Sequence, residues 1–484
     1  MNLTTVRSRS TLLEVVSVFT LPQGITRATA ALSAAALVTA AFASHAATPA
    51  QAVPLDTTSA TLNYLNNFDG FYSVPKTIPG TPGRVVKTQD FRSFFYPTES
   101  PATKYPIRGK RIMYTTTLST GKVYITTGAL MEPTSPWAGR GERPILVYGT
   151  STSGQGKQCA FSKTPGGFLA VTTGLDSRQG QPNNPVSMVS NYENLNVMKL
   201  LGKGFTVFVV DYNGMADGTD VQSYMNNVEA GRAMLDGARA VRSLEGLNKN
   251  VPVGIWGFSQ GGGAAYVGAA LQPSYAPDVN LKVSYAGAPP IDLLPALQKV
   301  EGGALSGLIG YGVNGFADRF PEVKKVVDEN ANAEGHKNLG KIANSCVADT
   351  LLGYAYHNTG DWTKNGKPLV DFLKRYPSVM KVFNDQLAAS THTPKARVVL
   401  YANPHDSVVP YDTVKRGVKT WCDAGASVHF YSVPYTAMGV APLFTHMLPN
   451  FLVFDQMLKE VVGIFSGSSV ATGCSESTIT LPLK

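Results

Sequence analysis

The sequence predicts an α/β fold, a mostly parallel sheet with helices on both faces. Short apolar runs, rich in β-branched residues, recur at 143–150, 204–214, 251–259, 280–290 and 396–406. A stretch of helical periodicity, 221–243, separates two of these runs, and apolar residues recur there every three or four positions. Hydrophobic residues make up 43% of the 484 residues, enough for a large core. Strands that alternate with helices in this way pair in parallel, because the connecting helix must pack on the sheet.

The predicted strands differ in how deeply they are buried. The run 204–214 is almost continuously apolar, which is typical of a strand covered on both faces. The run 251–259 is a further strand, and a helix of small residues is predicted from Gln260 onward. Residues 53–140 are rich in Tyr, Phe, Thr and Pro. We expect this first part to add antiparallel strands at the beginning of the sheet.

Residues 290–394 interrupt the alternation of strand and helix. They contain helical patterns and a glycine-rich apolar stretch, Gly302–Phe316, but no convincing pattern of a buried strand. We interpret 290–394 as a helical cap or lid inserted over the carboxyl edge of the sheet. The core then consists of two parts, 53–289 and 395–484.

The first 52 residues have the pattern of a signal peptide. Basic residues precede an apolar, alanine-rich run at 28–43, and small residues follow it. Cleavage is expected after Ala46 or Ala52. A membrane anchor is the alternative, although the run is short for a spanning helix. We therefore predict a secreted, extracellular protein.

Composition argues against several classes of partner. The net charge is +9, but no basic cluster with interleaved aromatic residues accompanies it, so nucleic acid is not an expected partner. The glycines around Ser259 do not form the G-x-G-x-x-G pattern of dinucleotide binding. Candidate metal ligands are scattered along the chain. We expect neither a cofactor nor a metal.

The chain has four cysteines, and none of them forms a C-x-x-C pair. Zinc and thioredoxin-like chemistry are therefore not predicted. Outside the cytosol an even number of cysteines indicates disulfides, here two of them. Four cysteines allow three pairings, and spacing alone does not choose among them.

One serine follows a predicted strand in the stretch GIWGFSQGGGAA, residues 254–265. Gly257-x-Ser259-x-Gly261 between a strand and a helix is typical of a nucleophile elbow, a tight turn that projects the serine Oγ above the sheet edge. Small residues flank such a serine because the turn brings strand and helix together. We predict Ser259 as the nucleophile and the Gln260 amide as an oxyanion donor. The alternative is a serine that only caps the helix.

A serine nucleophile requires a base, and the base requires an orienting carboxylate. In folds with this elbow both follow the serine, the acid first. Of the seven histidines, only His429 and His446 follow the best acid candidate and its neighbour His405. His429 lies within a predicted strand, whereas His446 lies in a predicted loop before an apolar helix. We predict His446 as the base, because loops at strand ends carry catalytic residues.

The predicted acid is Asp406, the last residue of the run 396–406, where it follows the apolar residues of the predicted strand. Its position at a strand end agrees with the expected chain order. Asp412, six residues further on, is the alternative. An ordinary turn aspartate would also fit the local composition at Asp406.

The second oxyanion donor is expected in the loop after an earlier strand. The stretch 147–162 follows such a strand, and Tyr148-Gly149-Thr150 stands where many hydrolases carry His-Gly-X. We predict the backbone amide of Thr150 or Ser151 as this donor.

Taken together, these stretches resemble the secretory lipases, a family of the α/β-hydrolase superfamily that includes Candida antarctica lipase A and many actinobacterial proteins. The resemblance covers most of 53–484. The stretches that carry it are YGT…CAFS around Cys159, VVDYNG ending at Gly214, GIWGFSQGGGAA, YAGAPPIDL, PHDSVVPY, and His446 flanked by two cysteines. The chain departs from the bacterial HGTTG…CAPS pattern in having Tyr148, Phe161 and two additional residues before Cys159.

The resemblance implies an α/β-hydrolase core with a helical cap inserted before the acid. It implies that Ser259, Asp406 and His446 form a catalytic triad. The disulfide pairs that it implies are Cys159–Cys346 and Cys422–Cys474.

The predicted function is that of a secreted serine ester hydrolase, a triacylglycerol lipase in first place. The alternatives are a carboxylesterase or acyltransferase that acts on shorter or cell-wall acyl esters, and an inactive hydrolase fold that serves as a binding protein. The expected partner is a lipid or another ester, met at a lipid–water interface, and we expect a monomer.

Overall fold

The computed structural model describes six parts of the chain. These are residues 70–91, 107–165, 169–173, 186–436, 442–468 and 472–479. The predicted signal segment, 1–52, lies outside the described residues, and so do its two cleavage sites after Ala46 and Ala52. No described helix is both long enough and apolar enough to cross a bilayer.

The described residues form twelve strands. In chain order they are β1 (Val85–Phe91), β2 (Ile107–Thr117), β3 (Val123–Pro133), β4 (Ile145–Gly149), β5 (Leu169–Thr173), β6 (Val186–Ser190), β7 (Thr206–Val210), β8 (Val253–Phe258), β9 (Leu281–Gly287), β10 (Arg397–Ala402), β11 (Val428–Ser432) and β12 (Cys474–Thr478). Ten of them make one sheet in the order β1-β2-β3-β7-β4-β8-β9-β10-β11-β12, while β5 and β6 pair separately.

The large sheet is antiparallel at its beginning and parallel elsewhere. Strands β1, β2, β3 and β7 pair antiparallel in succession. From β7 through β4 and on to β12, every pair is parallel. Both the predicted antiparallel start and the mostly parallel sheet are confirmed.

The described residues also form thirteen α-helices. They are α1 (Asn194–Gly202), α2 (Asn227–Leu244), α3 (Gln260–Tyr275), α4 (Leu293–Val300), α5 (Gly307–Arg319), α6 (Pro321–Asn330), α7 (Ala333–Ala343), α8 (Val347–Tyr354), α9 (Leu369–Leu373), α10 (Pro377–Ser390), α11 (Tyr411–Asp423), α12 (Leu443–Leu452) and α13 (Phe454–Phe465).

Helices cover both faces of the sheet, as two neighbouring residues of β8 demonstrate. Ile255 lies against α3, with its Cδ1 3.1 Å from where a Cβ on Gly268 would lie. The Trp256 ring lies against Phe454 of α13, with the ring centroids 4.7 Å apart. Successive strand residues point to opposite faces, so α3 and α13 cover opposite sides. The predicted α/β fold with helices on both faces is confirmed.

Helix α2 begins later than the sequence pattern predicts. Periodicity favoured a helix from 221, but the helix begins at Asn227. Asn226 is the N-cap residue, and its side chain accepts a hydrogen bond from the Glu229 amide at 3.2 Å. Met225, just before it, has a φ of 64°, which no α-helix contains. The helix therefore begins only after the capping Asn226, and residues 221–226 lie outside it although their apolar spacing favoured a helix.

The stretch between β9 and β10 is helical and fully described. It holds α4 to α10 and no strand of either sheet. The glycine-rich run Gly302–Phe316 becomes most of α5, whose residues are largely buried. Glycine fits there because a Cβ on Gly310 would lie 2.6 Å from Ile342 Cδ1.

Candidate active site

Ser259 occupies the tight turn between β8 and α3. Its φ of 55° and ψ of −116° are strained for a residue with a side chain. Such strain persists only where the surrounding structure fixes it, and it is typical of functional sites.

The glycines next to Ser259 allow the backbone segments around the turn to approach each other closely. A Cβ on Gly257 would lie 2.2 Å from the Gly261 oxygen, and one on Gly261 would lie 1.9 Å from the Gly149 oxygen. A Cβ on Gly262 would lie 2.1 Å from the Gly287 oxygen. Strand ends and helix therefore approach too closely for any side chain at these positions.

His446 lies beside the serine. Its Nε2 is 2.9 Å from Ser259 Oγ, and its ring packs against Phe258 with centroids 5.0 Å apart. The side chain is almost fully buried. His446 lies in the first turns of α12 and not in a loop before it, because the helix already begins at Leu443.

Asp406 completes the arrangement. Its Oδ2 accepts a hydrogen bond from His446 Nδ1 at 2.8 Å. Its Oδ1 accepts two backbone hydrogen bonds, from Val408 at 2.7 Å and Val409 at 2.9 Å. A carboxylate only accepts hydrogen bonds, so it holds the proton of the imidazole on Nδ1 and leaves Nε2 to accept from Ser259.

The two weighed alternatives lie elsewhere. Asp412 is exposed in the first turn of α11. His429 lies on β11, where its ring nitrogens contact Arg397 at 3.3 Å and Ser477 at 3.1 Å. Burial, together with the Arg397 charge, lowers the pKa of His429 below its usual value. The prediction that His429 lies within a strand is confirmed.

The Gln260 backbone amide belongs to the first residue of α3. The first amides of a helix have no partner within the helix, and the positive end of the helix dipole lies there. A developing oxyanion beside Ser259 would meet this amide.

The structure of the loop after β4 contradicts the prediction that the Ser151 amide is the second oxyanion donor. The Ser151 amide donates to Glu193 Oε2 at 2.5 Å. An amide that is already turned toward a buried carboxylate cannot also face an oxyanion. Ser151 is therefore not available as the donor in this structure, and Thr150 is left as the candidate.

Two further side chains at this loop, Glu193 and Tyr212, were not predicted from the sequence. Glu193 lies just before α1, and Tyr212 follows β7 with a φ of 69°. Both bond to the loop after β4. No sequence motif marks Glu193. Tyr212 could have been identified from its position just after a predicted strand, because functional residues are often found at strand ends.

Two disulfides are present, Cys159–Cys346 and Cys422–Cys474. These are the pairs that the family resemblance implied. The first joins the loop after β4 to the start of α8, and backbone hydrogen bonds accompany it. Gln155 donates to the Ser345 oxygen at 3.1 Å, and Val347 donates to the Ser153 oxygen at 2.8 Å. This loop and the helical stretch are thus joined at several points.

No group of three or more His, Cys, Asp or Glu side chains that could hold a metal ion occurs among the described residues. The groups beside the Ser259 hydroxyl are the His446 imidazole, the Asp406 carboxylate behind it and backbone amides. Such a set can carry out nucleophilic attack with general acid–base assistance.

A mostly parallel sheet with helices on both faces, and a serine at a strand–helix turn, define an α/β-hydrolase. The sequence model of the family described as "Secretory lipase" matches residues 181–470, more than half of the chain. The chain belongs to the secretory lipase family. The matched range contains Ser259, Asp406 and His446.

Individual relatives agree with this family. A secreted triacylglycerol lipase of Malassezia globosa is 30% identical over 301 residues, which cover 60% of this chain and 62% of the relative. A Mycobacterium tuberculosis protein named a probable inactive lipase is 26% identical over 367 residues, which cover 75% of this chain and 76% of the relative. The chain spans 62%, 53% and 60% of the length of the first three curated relatives.

The crystal structure of Candida antarctica lipase A in its closed state is similar in three dimensions. It superimposes with a TM-score of 0.69 at 21% identity, covering 85% of this chain and 88% of that one. At this level of identity the likeness establishes the fold alone.

Proposed function

We propose that this protein is a secreted serine ester hydrolase that forms an acyl-enzyme on Ser259, with triacylglycerols as its first substrate class. One observation carries the proposal, the hydrogen-bonded chain from Asp406 through His446 to Ser259. Several curated relatives are named secreted triacylglycerol lipases, and this supports the substrate class and the export.

The first half of the reaction acylates the serine. Ser259 Oγ attacks the ester carbonyl carbon while its proton passes to His446 Nε2. Asp406 stabilises the imidazolium that forms. The Gln260 amide and the amide of Thr150 donate hydrogen bonds to the tetrahedral oxyanion. His446 then protonates the leaving alcohol, and the acyl group remains on Ser259.

The second half releases the acid. A water molecule gives a proton to His446 Nε2 and attacks the acyl-enzyme carbonyl. The second oxyanion collapses as Ser259 Oγ leaves and regains its proton. The product is a free carboxylic acid, and the site returns to its initial protonation state.

The stretch 290–394 is proposed to be a cap or lid over this site, with 53–289 and 395–484 as the two parts of the core. Its helices follow β9, which pairs with β8 directly before the nucleophile turn. The Cys159–Cys346 disulfide and its neighbouring hydrogen bonds join this stretch to the loop of the second oxyanion donor. Any movement of the cap is therefore expected to leave residues 345–347 in place.

The direct test is ester hydrolysis by the purified mature protein and by its Ser259→Ala variant. The wild-type protein should hydrolyse tributyrin, with a rise in rate once the ester forms droplets. The variant should lose at least about 10⁴-fold in kcat. Unchanged circular dichroism of the variant controls for folding, and hydrolysis by the variant would refute the role of Ser259.

An esterase or acyltransferase is the alternative among enzymes. Saturation on soluble p-nitrophenyl butyrate, without a rise in rate on tributyrin droplets, would identify an esterase. Transfer of the acyl group to an added alcohol in preference to water would identify an acyltransferase.

An inactive binding protein is the second candidate, because one relative is named a probable inactive lipase. A fluorophosphonate probe distinguishes the two, since it bonds to an activated serine. Mass spectrometry should find the probe on the peptide that contains Ser259. An unlabelled wild-type protein would favour the inactive alternative.

A further inference from the structure

A buried carboxylate and a strained tyrosine hold one peptide group beside the nucleophile. The two polar atoms of the Thr150–Ser151 peptide are the Thr150 oxygen and the Ser151 nitrogen. Tyr212 Oη donates to that oxygen at 2.7 Å, and Glu193 Oε2 accepts from that nitrogen at 2.5 Å. Because a peptide group is planar, bonds at both ends fix the orientation of its plane.

We propose that Glu193 is a positioning residue for the proposed hydrolysis. Together with Tyr212 it fixes the Thr150–Ser151 peptide plane, which is bonded to the Thr150 Cα, and it thereby restrains the backbone that carries the Thr150 N–H, the proposed oxyanion donor. This inference rests on the proposed function of Ser259.

The Ser151 side chain also connects the loop after β4 to the nucleophile turn. Its Oγ donates to the Phe258 oxygen at 3.0 Å. Phe258 is the residue directly before Ser259 and is the last residue of β8. The loop after β4 and the nucleophile turn are therefore held in one mutual position.

Tyr212 reaches its place through two local features. Its φ of 69° lies in the left-handed region, which is unfavourable for a residue with a side chain. Gly149 leaves room for its hydroxyl, because a Cβ there would lie 2.8 Å from Tyr212 Oη. Strain at a non-glycine residue persists where the surrounding contacts require it.

Glu193 is buried and is held by neutral donors. Besides the Ser151 amide, it accepts a hydrogen bond from Tyr148 Oη at 3.0 Å, and Asn196 Nδ2 in turn lies 3.3 Å from that oxygen. Among the described residues, no basic side chain forms an ion pair with it. A buried carboxylate without a counter-charge is costly, and the hydrogen bonds from these neutral donors offset part of that cost.

The charged and titratable surroundings of Glu193 are simple. The side chains that interact with it electrostatically are Tyr148, Tyr192, Tyr212 and Tyr401. Burial raises the pKa of each of these tyrosines, so they stay neutral. Burial also raises the pKa of Glu193, to about 7.

The test compares kcat and KM of single and double variants on p-nitrophenyl butyrate. Glu193→Ala and Tyr212→Phe should each lower kcat about tenfold to a hundredfold, with KM changed less than about threefold, because an oxyanion donor acts in the transition state. The double variant should lose no more than the worse single variant, since both changes release the same peptide. Glu193→Gln retains an acceptor oxygen and should recover most of kcat.

Asp236→Asn is the control for the loss of a buried carboxylate. Asp236 is also buried; it accepts from Thr116 at 2.8 Å and from Tyr275 at 2.6 Å, and it forms an ion pair with Arg239 at 2.9 Å. Tyr275 is the last residue of α3, at the opposite end from Ser259. This variant should lower the melting temperature and leave kcat unchanged. Losses that multiply in the Glu193→Ala/Tyr212→Phe double variant, or an equal kcat loss in Asp236→Asn, would overturn the proposal.

A second measurement is independent of ester hydrolysis. Hydrogen exchange of the Ser151 amide, followed on the peptide that spans 149–156, should be faster in Glu193→Ala than in the wild-type protein and in Asp236→Asn. Unchanged exchange would overturn the proposal even in an inactive protein. If the wild-type protein neither hydrolyses esters nor reacts with a fluorophosphonate, the proposed function fails, and faster exchange would still show that Glu193 holds the peptide.

Discussion

Ser259 Oγ and His446 Nε2 lie 2.9 Å apart although 187 positions separate these residues in the chain. The serine comes from the turn after β8 and the histidine from α12, so the contact depends on the packing of two distant segments of the chain. This contact underlies the proposed function, and the structure also indicates what should happen when its surroundings are changed.

The carboxylate behind the histidine should control which imidazole nitrogen carries the proton. In Asp406→Asn the oxygen that accepts from Val408 and Val409 can remain, while an amide NH₂ faces His446 Nδ1. His446 then keeps its proton on Nε2 and cannot accept the serine proton. We expect kcat to fall about 10³- to 10⁴-fold with an unchanged fold.

The measurement is kcat on p-nitrophenyl butyrate, with the melting temperature as the control for folding. The exposed Asp412 is the matched position, and Asp412→Asn should retain kcat. If Asp412→Asn lost kcat and Asp406→Asn retained it, Asp412 would be the catalytic acid.

The glycine two residues after the nucleophile should tolerate no side chain. A Cβ on Gly261 would lie 1.9 Å from the Gly149 oxygen and 3.0 Å from the Thr150 oxygen, so Gly261→Ala must push the loop after β4 away from α3. We expect a lower melting temperature and a loss of kcat. Gly340→Ala is the control, because a Cβ on this exposed residue of α7 meets nothing within 4 Å.

In the control variant, alanine should raise stability by up to about 1 kcal/mol, because it restricts the unfolded chain. Thermal unfolding and kcat of both variants check these expectations. Wild-type kcat in Gly261→Ala would show that the close approach to Gly149 is not needed.

The two disulfides should differ in their effect on activity. Their sequence separations are 187 for Cys159–Cys346 and 52 for Cys422–Cys474. In the chain-entropy model they are worth about 5 and 4 kcal/mol, so removing either pair should lower the melting temperature. Of the two disulfides, the Cys159–Cys346 pair alone holds the loop after β4. We therefore expect kcat to fall when this pair is replaced by alanines and to stay unchanged when the Cys422–Cys474 pair is replaced.

The second pair is the matched control for this prediction, since it joins α11 to the edge strand β12. Equal kcat losses on removal of either pair, compared well below both melting temperatures, would contradict the assigned difference.

The buried Glu193 should make stability depend on pH. Burial raises its pKa from 4.5 to about 7 in the folded protein, so the folded state holds the proton more tightly than the unfolded chain. Its contribution to stability is therefore fully present below pH 4.5 and is lost as the pH rises through about 7. The wild-type protein should lose up to about 3 kcal/mol relative to Glu193→Gln over this range.

The measurement is the difference in melting temperature between the wild-type protein and Glu193→Gln at several pH values from 5 to 8. Glu334→Gln, on the exposed surface of α7, controls for the removal of a carboxylate. If the difference in melting temperature between the wild-type protein and Glu193→Gln were the same at every pH, burial would not raise the pKa of Glu193.

Much of the fold could be predicted from local pattern. Apolar runs and helical spacing predicted the mostly parallel sheet, its antiparallel start and the helices on both faces. Boundaries were less accurate where a single side chain intervened, as Asn226 does at the start of α2. His446 was expected in a loop, but α12 already begins at Leu443.

The sequence by itself determined which serine, aspartate and histidine were candidates, because a glycine-flanked serine after an apolar run and the order of later residues are local facts. Tertiary structure decided how the backbone around them is used. Spacing does not record that the Ser151 amide turns to Glu193, since the two residues meet only when β4 and the start of α1 pack together. Hydrogen bonds between distant segments depend on chain packing, and no short stretch of residues encodes them alone.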